Sequence, residues 1–390
     1  MKTIIFLITV FSVLQIGCQG DVSSQYQYHL PEKLNDGFET GTLAEANIDE
    51  DLVTKAVNEI YQGKYKEIHS MLIYKSGKLV LEEYFPGHDY QWEAPYHLGE
   101  WVNWDEERLH QVQSVTKSIT STCVGIAVDQ GFIKSVHQSI FDYLPGYEHF
   151  KKDGKENITI EHLLTMTSGL QWDEWSAPLS SVENDIIGVW FSEKDPLTYI
   201  LERPLVSEPG TGFTYSGSSM ILLGEIIKNA TKMDIAEFSG KYLFSPLEVD
   251  SFNWWNHFKN GVTEAAGCLQ ISPRDMAKVG VTFLNKGIWN GKRIISEDWV
   301  NKSAVSYRDN VDIRIPGEDL GKVGYAYTWW TKEFTDSGRK ISWYSANGWG
   351  GQKIIVIPDL DTVIVLTGGT FSSKVRSFKL LKKYIIPAIG

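Results

Sequence analysis

Ser114-Val115-Thr116-Lys117 is the stretch on which the reading of this chain turns. It lies inside an apolar, helix-like run from Val112 to Val128. Residues three apart on a helix share a face, with Cβ atoms about 5–6 Å apart, so an amine there can reach a hydroxyl. A serine hydroxyl is a weak nucleophile until a neighbouring base takes its proton. The spacing alone is common, and its meaning depends on what accompanies it.

Outward from this stretch, strands flank a helical middle. His69–Tyr74 and Lys78–Phe85 read as a hairpin around Lys75-Ser76-Gly77. Lys353–Ile357 and Thr362–Leu366 read as a second hairpin around Pro358–Asp361, and Tyr325–Thr331 as a further strand. Helical spacing covers Asp49–Gln62, Met220–Asn229 and residues 272–287, the last with Ser272 as N-cap and Pro273 at the first helical position. Residues 86–110 read as loop, and Ser373–Ile386 as a basic amphipathic helix. The expected fold class is α+β. Both hairpins join one antiparallel sheet flanked by helices, and a mostly helical lobe is inserted between them. The α/β lobe takes about 46–112 and 255–390, the helical lobe about 113–254. A cleft between lobes is the expected site.

Three further segments join Ser114. In Gly212-Phe213-Thr214-Tyr215-Ser216-Gly217, a phenol on a Gly/Ser-rich turn can carry protons when a cation stands near. In Ala346-Asn347-Gly348-Trp349-Gly350-Gly351-Gln352, glycines before an apolar strand let a backbone N–H approach a ligand. Thr167-Ser168-Gly169-Leu170-Gln171-Trp172 closes the helix-like run from Ile158. Each of these segments also has a plain structural reading as a turn or a helix stop.

Taken together and in order, these segments resemble the class C β-lactamase superfamily of serine hydrolases, which includes 6-aminohexanoate-oligomer hydrolases, family VIII carboxylesterases and penicillin-binding-type D-peptidases. The resemblance runs from about residue 65 to the C-terminus and includes Pro209-Gly210 and Pro246-Leu247. It implies that Ser114 is the nucleophile, that Lys117 is its base, and that Tyr215 shuttles protons to the leaving group. The backbone N–H groups of Ser114 and Trp349 would form the oxyanion hole. Trp172, Asp173, Trp254, Gly348 and Gln352 are the candidate substrate contacts, chosen by position. Two departures stand out: Gly217 replaces an asparagine usual in the family, and Ala346-Asn347-Gly348 replaces the Lys-Thr-Gly of β-lactamases. The missing lysine removes a charge-assisted contact worth about 1.5–3 kcal/mol. Weak or no β-lactamase activity is therefore expected, and a small ester, amide or peptide is the expected substrate. The scheme also expects the Lys117 pKa to be lowered, so that a neutral amine is available. The rival reading is a non-catalytic surface lipoprotein that keeps the fold and binds peptide or glycan.

Composition narrows the classes. The 390 residues are 42% hydrophobic and 22% charged, as in ordinary globular chains. A formal net charge of -12 argues against nucleic acid and against docking on anionic lipid. The nine histidines are scattered and no His-Glu-x-x-His or Cys-x-x-Cys occurs, so no metal and no cofactor is expected. No Gly-x-Ser-x-Gly elbow is present. Lys2, the apolar Thr3–Ile16 and Gly17-Cys18 resemble a bacterial lipoprotein signal, with Gln15 as its departure. Residues 1–18 are thus expected to be a signal with Cys18 lipidated, 19–45 a polar tether, and 46–390 the hydrolase domain. The expected location is exported, periplasmic or membrane-anchored, with membrane contact only through the anchor. Cys123 reads as a buried thiol, and a Cys123–Cys268 disulfide stays open. The sequence sets no oligomeric state.

Overall fold

A computed structural model describes residues 26–336 and 338–390. Helix α1 (Glu50–Tyr61) is capped by Asp49, whose carboxylate accepts from Leu52 N. It leads into strands β1 (Ile68–Lys75) and β2 (Lys78–Tyr84). Six later strands complete an eight-stranded sheet: β3 (Ile313–Arg314), β4 (Lys322–Tyr325), β5 (Trp330–Asp336), β6 (Arg339–Gly348), β7 (Gln352–Ile357) and β8 (Thr362–Gly368). Their order is β3-β4-β5-β6-β7-β8-β1-β2, antiparallel throughout. The two hairpins therefore meet at β8 and β1, with Leu72 opposite Val365 and Ile73 opposite Ile364. β7 and β8 are buried along their whole length because helices cover the sheet. α4 (Pro273–Leu284), N-capped by Ser272, lies against β8 and β7, where Gly280 lets Val363 and Ile354 approach.

Between the hairpins lie α2 (Val115–Asp129) and α3 (Gly217–Thr231). α2 is buried on nearly every side from Val115 to Ala127. A buried helix this rich in hydroxyls needs partners for them. Ser118 Oγ donates to Thr328 O (2.9 Å), Ser121 Oγ to Tyr327 O (3.1 Å) and Thr120 Oγ1 to Ala265 O (2.8 Å). These bonds fix the rotation of α2, and so the direction in which its first turn points. A small sheet sets its entry: His110–Gln111 pairs with Leu269–Ile271, and Val112 N donates to Leu269 O.

Several expectations are corrected. Tyr325–Thr331 is not one strand. β4 ends at Tyr325 and β5 starts at Trp330, with Thr328 at φ 64° in the turn between. The loop-like 86–110 region contains a strand pair, Gly87–Tyr90 with Leu98–Val102. The tether also differs. From Tyr26 onward the chain is packed, with Tyr28 Oη donating to Val80 O and Phe38 buried against Trp289 and Tyr74. Arg274 ties this segment down through Asp36 (2.7 Å) and also pairs with Glu82 (2.5 Å). Polar composition concealed a few apolar anchors that are enough to dock it. The signal, Cys18 and residues 19–25 lie outside the described residues. Cys123 and Cys268 are both free and buried. Among the described residues, no helix is long and apolar enough to cross a membrane.

Candidate active site

Ser114 occupies the N-cap of α2 in helical conformation. The residue before it, Gln113, has φ 50°, a left-handed conformation that costs energy for a side-chain-bearing residue. This sharp entry turns the serine toward the cleft. Lys117, one turn on, is buried at 4% exposure. Its Nζ lies 3.1 Å from Ser114 Oγ and donates to Ala266 O at 2.9 Å. It also stands 4.9 Å from the centroid of the Tyr215 ring. Tyr215 is held between two tryptophans, stacking on Trp175 at 5.3 Å and on Trp330 at 5.8 Å. The hydroxyl, the amine and the phenol thus meet from α2 and the turn before α3.

All three line a cavity of about 790 Å³, as do Gly348 and Trp349. A Cβ on Gly348 would lie 2.3 Å from Val112 O, so only glycine lets β6 come this close to the chain entering Ser114. That contact sets the end of β6 against the chain entering Ser114, and Trp349 follows it on the cavity wall.

The electrostatics depart from expectation. Burial pulls the Lys117 ammonium down, but Tyr215, Glu174 and Glu264 outweigh it and hold its pKa above that of an ordinary lysine. The expected lowering is therefore corrected: two acids that the motif reading did not weigh stand around the amine. Glu264 accepts from Ala266 N (2.8 Å) and Gly267 N (2.9 Å). Glu174 Oε1 accepts from Trp172 Nε1 (2.6 Å) and from Gly217 N. Burial pushes the Glu174 carboxyl up, against the pull of Lys117 and these donors.

Four proposed substrate contacts do not line the cavity. Trp172 is buried with its N–H on Glu174, and Asp173 faces outward to cap Trp175 N and Ser176 N. Trp254 is buried with its N–H on Ser239 Oγ (3.1 Å). Gln352 is buried, bracing Gly368 through both ends of its amide. At the end of the strand Phe252–Trp254 neighbouring side chains point opposite ways, so Trp255 rather than Trp254 meets the cavity, and Glu174 and Trp175, in the bend after Asp173, complete this part of the wall. Trp92 and Trp190, packed on each other at 5.2 Å, add to it. Asn347 also lines the cavity, and its side-chain N and O are buried without a hydrogen-bond partner among the described residues. The same holds for Gln113 Nε2. Among the described residues, no group of three or more His, Cys, Asp or Glu side chains is placed to hold a metal.

The beta-lactamase family model matches residues 66–377. The chain belongs to the beta-lactamase family. It is 27% identical over 263 residues to the 6-aminohexanoate-dimer hydrolase of Paenarthrobacter ureafaciens, spanning 66% of this chain and 65% of that one. It is 21% identical over 280 residues to penicillin-binding protein 4* of Bacillus subtilis (strain 168), spanning 65% and 58%. The chain thus spans less than two thirds of the length of each of these relatives. In structure it resembles a family VIII carboxylesterase (TM-score 0.66, 15% identity, covering 89% of this chain and 98% of that one). It also resembles a penicillin-binding protein homolog from Caulobacter crescentus (TM-score 0.61, 14% identity, 89% and 99%). These likenesses show the fold: an α+β, β-lactamase-like architecture with antiparallel sheet and helical insertion, as expected.

Proposed function

We propose that this beta-lactamase family member is a serine hydrolase that cleaves a small ester or amide through an acyl-enzyme on Ser114. The observation that carries this reading is the Ser114–Lys117 contact of 3.1 Å in the lining of the cavity, with the Tyr215 ring against the amine. Lys117 and Tyr215, in contact through the amine and the face of the ring, act as one proton-relay pair. As Ser114 Oγ bonds to the substrate carbonyl carbon, its proton passes to this pair and the carbonyl electrons move to oxygen. That oxyanion is met by the backbone N–H groups of Ser114 and Trp349, and one such donor is typically worth about 10²–10³ in rate. The pair returns the proton to the leaving oxygen or nitrogen as its bond to carbon breaks. Water then repeats the sequence on the acyl-enzyme, leaving acid and free Ser114.

The lining favours substrates without a carboxylate. Glu93, Glu174 and Glu264 face the cavity, against Lys117 as its lysine. Asn347 supplies no cation, and neighbouring Lys353 is neutralised by Glu318 at 2.8 Å. Poor β-lactam turnover follows. Aromatic walls suit an apolar acyl or leaving group. We further propose export as a lipoprotein acylated on Cys18, a reading supported by the N-terminal sequence alone. Mass spectrometry of the mature N-terminus tests it, and an unmodified cysteine or uncleaved leader refutes it.

A fluorophosphonate probe tests the catalytic reading. Labelling of Ser114 that is absent in Ser114→Ala supports the hydrolase. Unlabelled, well-folded protein would favour a peptide- or glycan-binding module. Short-chain esters, D-amino-acid amides and a chromogenic cephalosporin then rank ester, amide and β-lactam substrates.

A further inference from the structure

Gly217 opens α3 with no side chain, and the space beside it is occupied. A Cβ there would lie 2.7 Å from Glu174 Oε1, 2.7 Å from Ile186 Cδ1 and 3.2 Å from Ala266 Cβ. Glu174 reaches this place from a separate loop, and its Oε1 takes the Gly217 N–H. The same oxygen takes the Trp172 indole N–H at 2.6 Å. Gly217 is two residues from Tyr215, and Trp175, next to Glu174, stacks on the Tyr215 ring. Ala266, whose side chain borders the same space, supplies the carbonyl that holds Lys117 Nζ.

We infer that Glu174 is a positioning residue for the Ser114–Lys117–Tyr215 group: its inward-turned carboxylate fills the side-chain space left by Gly217, pins the Tyr215 turn, and lends Lys117 a negative charge. The inference rests on the hydrolase reading above and adds a fourth member to its machinery. A carboxylate in this place keeps the proton on Lys117, because it stabilises the ammonium. The charged and titratable groups acting on it are Lys117 from α2, Tyr325 from β4, and Glu264 from the segment before Leu269–Ile271, while Tyr215, from the turn before α3, faces Lys117. Glu264 is a second acid, so removing Glu174 weakens the hold on that proton without abolishing it.

The test is the rate of fluorophosphonate labelling of Ser114 from about pH 6 to about pH 10. Glu174→Gln keeps an acceptor for both N–H groups and removes the charge. The rise of the labelling rate with pH is expected to move to lower pH by about one unit. Gly217→Ala, which keeps every polar group but drives a methyl into the carboxylate, is expected to move it the same way. The double variant should move it no further, because both changes act on one contact. An unmoved or upward-moved rise in folded Glu174→Gln overturns the inference, as does full additivity of the two changes. If Glu174→Gln fails to fold, Gly217→Ala alone decides by the same shift. Absence of labelling in the unaltered protein at every pH would instead overturn the hydrolase reading.

Discussion

The two walls of the cavity are built on opposite plans. On the helical wall, Lys117 contacts Ser114, Ala266 O and the face of Tyr215, and Glu264 and Glu174 are each met by two N–H groups. On the strand wall, Asn347, next to last in β6, has both amide atoms buried and unpartnered among the described residues. A satisfied polar network holds its geometry, whereas a buried unpaired amide carries a desolvation cost of about 1–3 kcal/mol. The difference teaches a division of labour. One wall holds its polar groups in a satisfied network, as the proposed proton transfer requires, and the other leaves a buried amide without a partner among the described residues.

The strongest way to break this comparison is Ser114→Ala. Hydrolysis should fall by about 10⁴–10⁶ with little change in melting temperature; a loss under tenfold in initial-rate assays would remove the helical wall from the chemistry. Lys117→Met comes next. Turnover should drop by about 10²–10⁴, and denaturant unfolding should show lost stability, because Glu174 and Glu264 would face each other without their cation. Unchanged stability would mean that the acids do not depend on Lys117.

Acid should then separate the walls. Behind the strand wall, His69 stacks on Trp104 (4.7 Å) and Trp104 on His110 (3.7 Å), and His110 reaches Thr367 of β8. Burial lowers the pKa of both histidines, most of all His110; Glu67 opposes it at His69, while His69 and Arg108 reinforce it at His110. The unfolded chain therefore takes up protons that the folded one refuses. Stability is present above about pH 6.5 and is lost as pH falls below it, by about 1.4 kcal/mol per pH unit for each histidine. Hydrogen exchange should show β8 and β1 loosening before α2; the reverse order would contradict the placement of this stack. The smallest effect belongs to Asn347→Leu. KM should rise about tenfold at nearly constant kcat, with stability unchanged or higher by about 1 kcal/mol. A fall in kcat at constant KM would move Asn347 from recognition to catalysis.

How much of this was legible in the sequence follows the same divide. The hairpins and α4 with its Ser272 cap could be read because local pattern determines them, and Ser114 with Lys117 because they stand one helical turn apart; Tyr215, distant in sequence, joined them through the family resemblance. Glu174 and Glu264 could not, since each becomes meaningful only when distant segments close on Lys117. The glycine at 217 was noted as a departure, but not the side chain that takes up its space. Trp172 and Trp254 were misjudged as contacts because aromatic identity says nothing of which side of a strand or loop it faces. Their neighbours Glu174, Trp175 and Trp255 face the cavity.

The packed segment before α1 has a practical corollary. Leu79 N donates to Glu39 O (2.8 Å) and Gly41 N to Leu79 O (3.1 Å), so this stretch occupies the outer rim of β2, the terminal strand of the sheet. An uncovered rim of this kind recruits other chains into intermolecular pairing. A recombinant truncation starting at residue 46, where composition alone would put the cut, would leave Val80 and Leu81 on a sticky border. One starting ahead of Tyr26 keeps the protein's own guard against aggregation.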